Sequence, residues 1–108
     1  MHWSHYAAWF FGAVFFTNAV PHMVSGLMGE PFQSPFAKPP GVGLSSSIVN
    51  VLWGSLNLVV AYLLLCRVGS FDLRDVTHAA TVLVAVVLRS VLAARHFGRF
   101  HGGNAPTA

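Results

Sequence analysis

The stretch FFTNAVPHMVSG, residues 15–26, sets an asparagine, a proline and a histidine within five positions of one another inside an otherwise apolar run. Its surroundings decide how it is read. Of the 108 residues, 55% are hydrophobic and only 8% are charged, and the mean hydropathy is +0.62. A soluble domain of this size needs far more charge on its surface, so the chain reads as a membrane protein and residues 15–26 as part of a span.

Working outward from that stretch, the apolar residues group into three segments, about 6–28, 47–66 and 76–94. Each comes close to the ~20 residues that carry a helix across ~30 Å of hydrocarbon, and none alternates strictly as a barrel strand would. The expected fold is an all-α integral membrane protein with three transmembrane helices. Residues 1–96 form a single three-helix membrane domain and 97–108 a flexible C-terminal tail. The N-terminal MHWSHYAAWFFGAVFF lacks a basic leader and a small-residue cleavage site, so it is expected to remain as the first span. Trp3, Tyr6 and Trp9, with Tyr62 near the far end of the second helix, suit an aromatic belt on one side of the bilayer.

Between the first two spans lies GEPFQSPFAKPPGVGLSSS, residues 29–47, which holds four of the six prolines. Proline at this density forbids a helix, and Phe32 and Phe36 offer apolar anchors, which predicts an ordered, membrane-hugging loop rather than a solvated linker. Ser45, Ser46 or Ser47 is placed to cap the second helix, and Asp72 or Asp75 the third. Two cations, Arg67 and Arg74, fall on one side of the spans, against Lys38, Arg95 and Arg99 on the other, with Arg89 able to snorkel there. That bias favours an outside N-terminus and a cytoplasmic C-terminus. The block from Asn18 to Asn57, with PH, PFAKPPG and NVLWGSLN, resembles a small bacterial membrane-protein signature that carries no activity with it. A bacterial inner or plasma membrane location is expected.

Helical spacing gathers the polar and small residues into stripes. Asn18, His22, Ser25 and Gly29 share a face of the first helix; Ser47, Asn50, Gly54, Asn57 and Ala61 a face of the second; His78, Thr81, Ala85, Arg89 and His96 a face of the third. Such stripes turn towards other helices, leaving Leu, Val and Phe to lipid. Close packing accounts for Gly54, Ala61, Thr81 and Ala85 without further function. Counting depth at 1.5 Å per residue, Asn18 and Asn57 fall near the midplane, with His22, Asn50 and Arg89 roughly 4 to 10 Å from it towards the proline-rich loop.

No acidic residue lies in any span. An unpaired Arg at this depth costs on the order of 2.5 kcal/mol or more, so Arg89 is expected either to snorkel to the headgroups or to meet an anion: Glu30, a lipid phosphate, a bound anion or another chain. Pro21 frees the Thr17 carbonyl and is expected to bend the first helix beside Asn18 and His22.

These residues predict a ligand site under the loop. Arg89 and His22 would recognise charge, Asn18, Asn50 and Asn57 would give hydrogen bonds, Pro21 would open the helix and Trp53 would wall the pocket. The leading expectation is a self-associating protein that binds or passes a small anionic or amphipathic ligand. The alternative is an accessory subunit of a larger membrane complex, its stripes being contact surfaces. Haem or metal binding through His22 and His96, or His5 and His78, is a third reading, although no HxxxH, HxxE or CxxC spacing supports it. An enzyme is not expected: there is no carboxylate pair in a span, and Cys66 and the serines lack a base nearby. Nor is nucleic-acid binding expected, because the net charge of +3 is scattered at helix ends.

Overall fold

The computed structural model describes residues 2–105 and consists of three long helices, α1 (Trp3–Leu27), α2 (Ser47–Cys66) and α3 (Val76–His101). All three are long and apolar enough to cross a membrane. The chain is therefore all-α, with three candidate membrane spans. Large apolar side chains such as Phe16, Val24, Leu52, Leu56, Leu88 and Leu92 point outward, the arrangement that a lipid environment permits and water penalises.

Helix α1 packs against both α2 and α3, which make little contact with each other. Its seam with α2 is built on small residues. A Cβ at Gly26 would come within 2.7 Å of the Ser47 carbonyl oxygen, and one at Gly54 within 2.7 Å of Met23 Cγ, so the backbones approach as closely as the absence of a side chain allows. The buried residues of α2 are Asn50, Gly54, Asn57 and Ala61, the stripe that helical periodicity predicts. On α1 the prediction is partly displaced. Asn18 and His22 do face the other helices, but Gly29 lies beyond the helix, where its φ of 74° follows the C-cap Met28. The residues buried in place of Ser25 and Gly29 are Gly12, Ala13, Ala19 and Gly26, small side chains on the helix-contact side.

The 28–46 segment is ordered by its own short ladder. Strands β1 (Phe32–Gln33) and β2 (Leu44–Ser45) pair antiparallel, Phe32 opposite Ser45 and Gln33 opposite Leu44. Phe32, Gln33 and Ser34 are buried, whereas Phe36, the second expected anchor, is exposed and sets its ring edge-on to Trp53 at 5.1 Å. The loop also reaches α3: Phe32 packs on Phe97 and stacks on His101, filling the space that α2 and α3 leave between them.

Caps fall within the expected sets. Ser46 Oγ accepts from the Val49 N–H, and Asp75 accepts from the Thr77 and His78 N–H groups, while Asp72 closes a local turn by accepting from the Arg74 N–H. Helix α3 continues past Ala94, where the apolar segment ends, through His101 to Gly102, whose φ of 81° terminates it. Arg99 and His101 in its last turn complement the helix dipole, and Asn104 folds back to donate to the Arg95 carbonyl. Residues 97–105 are thus structured where a flexible tail is expected from composition; 106–108 lie outside the described residues.

Candidate functional site

Two polar networks connect the helices. In the first, Arg89 Nη2 on α3 donates to Asn18 Oδ1 at 2.7 Å, Asn18 Nδ2 to Asn57 Oδ1 at 3.0 Å, and Asn57 Nδ2 to the Trp53 carbonyl at 2.8 Å. The ends fix its direction. A guanidinium only donates and a carbonyl only accepts, so both amides between them have one possible orientation. Arg89 therefore meets an amide oxygen inside its own protein, where snorkelling to the headgroups or an anion was the expectation. A neutral amide oxygen is enough to hold one guanidinium N–H.

The second network holds the loop. Asn50, fully buried, donates through Nδ2 to the carbonyls of Phe32, Ser45 and Ser46 at 3.0 to 3.2 Å, tying both strands of the ladder to the first turn of α2. With its nitrogen committed to carbonyls, Asn50 turns Oδ1 to His22 Nδ1 at 2.7 Å. The His22 proton is thereby placed on Nδ1, and Nε2 carries the lone pair. The ring is 2% exposed and stands among Phe32, Trp53 and Phe97.

Between the loop and the helices lies a cavity of about 300 Å³. Asn18, His22 and Trp53 line it from the helices, Gln33 and Ser34 from the ladder, and Pro35, Pro40, Gly41 and Phe97 complete it. Trp53 Nε1 is buried and has no hydrogen-bond partner, the one such side-chain atom among the described residues. The remaining predicted residues stand behind the wall. Asn50 and Asn57 are engaged in the two networks, and Arg89 touches the site only through Asn18. Pro21 lies within an uninterrupted α1 and, with Thr17, lines a separate groove of about 410 Å³ between α1 and α3. Phe97 lines both spaces.

Gln33, Ser34, Pro35, Pro40, Gly41 and Phe97 are the wall residues that sequence reasoning did not name. The sequence offered one hint for the first two: a Gln-Ser pair directly after Phe32, the apolar residue that draws the ladder inward. Phe97 was assigned to the tail, and only the continuation of α3 brings it to the site.

Three of the four histidines considered as metal ligands, His22, His78 and His96, hold hydrogen bonds of their own. His96 Nε2 donates to the Gly41 carbonyl at 2.7 Å and its Nδ1 accepts from Arg99 Nη2 at 2.7 Å; His22 is bound to Asn50. On the opposite side of the molecule His78 Nδ1 accepts from the Asp72 N–H, and its Nε2 lies 3.6 Å from the Asp75 carboxylate. Among the described residues no three His, Cys, Asp or Glu side chains come together as a metal site.

Fold and site together define a class: a mostly helical protein of three candidate membrane spans, with a loop roofing a cavity against the helices. Compared with known protein families, curated proteins and solved structures, the chain matches none.

Proposed function

We propose that this protein is a small integral membrane protein that binds a small amphipathic molecule in the cavity beneath the 29–45 loop. The observation that carries the reading is the Trp53 indole N–H, buried and without a partner on a residue that lines the cavity, since nearly all buried polar groups in folded proteins find one. The mostly apolar wall with a few polar groups is the usual composition of a small-molecule site. No Asp, Glu, Lys or Arg lines the cavity, which favours an amphipathic over an anionic ligand.

Self-association rests on a different ground from the one the stripes suggest. The polar faces of α1 and α2 cover one another within a single chain, and α3, the least buried of the three helices, leaves Leu83, Val84, Val87, Leu88, Val91 and Leu92 exposed. Contact through α3 with a second copy is part of the proposal; contact with a larger complex is the alternative for the same face.

The test is thermal unfolding of the purified protein in detergent with a panel of single-chain amphiphiles. Stabilisation by a member of the panel that Trp53→Phe removes is expected. Stabilisation of equal size in wild type and Trp53→Phe, or none at all, overturns the site.

A further inference from the structure

The cavity also carries information about the polar group it accepts. Asn18 has both ends of its amide engaged, by Arg89 and by Asn57. The Ser34 hydroxyl is bonded to Ser45 Oγ and accepts from the Phe36 N–H, the Gln33 Oε1 is held by His101 Nε2, and the Gly41 carbonyl by His96. Three groups on lining residues keep no protein partner: the Gln33 Nε2 amide, which donates, and one nitrogen on each of two neighbouring rings. Trp53 Nε1–H is a donor, and His22 Nε2 is an acceptor because Asn50 holds the proton on Nδ1. The rings stand edge to face with centroids 6.4 Å apart.

Resting on the ligand site proposed above, we infer that the cavity is specific for a neutral hydroxyl group borne on an apolar chain, a lipid-like alcohol. A hydroxyl is at once acceptor and donor: its oxygen takes the Trp53 N–H and its proton goes to His22 Nε2. A carboxylate satisfies Trp53 but faces the His22 lone pair with no cation on the wall, and an ammonium satisfies His22 but opposes the indole N–H. The apolar chain has a place at hand in the α1–α3 groove, which shares Phe97 with the cavity and is lined by Phe16 and Val20, both about half exposed on the lipid-facing surface.

Three tryptophans make the test internal. In 15N-tryptophan-labelled protein in nanodiscs, the indole signals of exposed Trp3 and of Trp9, which donates to the Val68 carbonyl, serve as controls for that of Trp53, assigned by its loss in Trp53→Phe. The probes are 1-decanol, decyl methyl ether, decanoate and decane. Decanol is expected to shift the Trp53 signal alone, with half-saturation at roughly fivefold to tenfold lower concentration than the ether, which accepts but cannot donate to His22. Decanoate and decane are expected to leave it in place. Equal half-saturation by alcohol and ether, or a shift by decanoate, overturns hydroxyl specificity while leaving a ligand site; a Trp53 signal unmoved by every probe overturns the site itself.

Discussion

Arg89 shows how little is needed to hold a cation in a membrane helix when the acceptor is positioned. Its guanidinium binds the acceptor end of an amide chain whose other end is the Trp53 carbonyl, so one contact orients Asn18, Asn57 and, through its backbone, Trp53. Arg89→Ala leaves Asn18 Oδ1 without its donor and is expected to lower stability by about 0.6 to 2 kcal/mol, the range for a hydrogen bond between membrane helices. Arg89→Lys is expected to recover much of this. Arg89→Glu is expected to be the worst of the three, since it presents a carboxylate to an amide oxygen. Unfolding of the three variants in a common detergent checks the order. Asn50 carries more. Asn50→Ala removes the side-chain donor from the Phe32 and Ser45 carbonyls and the partner of His22, while the Ser46 carbonyl keeps the backbone N–H of residue 50, and a loss on the order of 1 to 3 kcal/mol is expected, together with loosening of the 29–45 loop seen as faster amide exchange.

At the level of elements, the α1–α2 seam depends on what a Cβ would strike. Gly26→Ala drives a methyl into the Ser47 carbonyl, which is backbone and cannot yield without moving α2, whereas Gly54→Ala meets the flexible end of Met23. The first is expected to cost about 1 to 3 kcal/mol by overpacking and the second clearly less, a ranking that unfolding measurements decide. At the start of α3, a hydrogen bond from Thr77 Oγ1, and then the Thr77 and His78 N–H groups, hold the exposed Asp75 carboxyl below the usual carboxylate range. A depressed folded-state pKa means that the cap stabilises fully above about pH 4 and is lost as pH falls through the folded value. Exchange at the Thr77 and His78 amides is therefore expected to gain protection as pH rises through that range, after correction for intrinsic rates, and to lose this dependence in Asp75→Asn.

Across the whole molecule, what could be read from sequence follows from period and composition. The three spans and the α2 stripe were legible because a 3.6-residue repeat of small and polar residues in an apolar segment has one structural meaning. Asn18 and His22, which line the cavity, belong to such a stripe, whereas Trp53, which also lines it, lies off the α2 stripe. The role of Asn50 as loop anchor was not legible, because its partners are carbonyls, which every residue has. The ladder was hidden by its length of two residues per strand, and α3 beyond Ala94 by the change from apolar to basic residues, which hydropathy reads as an end and a helix does not. For Arg89 the sequence suggested snorkelling or an anion; the amide oxygen on the neighbouring helix was not legible, because charge invites a search for opposite charge.

The whole account turns on whether the space beneath the loop is occupied through Trp53. An experimental structure in a lipid nanodisc measures this most directly. The account predicts non-protein density in the cavity with an atom about 2.7 to 3.2 Å from Trp53 Nε1, hydrogen-bonding distance, beside a His22 still bound to Asn50. A cavity closed by the loop, with Trp53 Nε1 donating to a protein carbonyl, would contradict it.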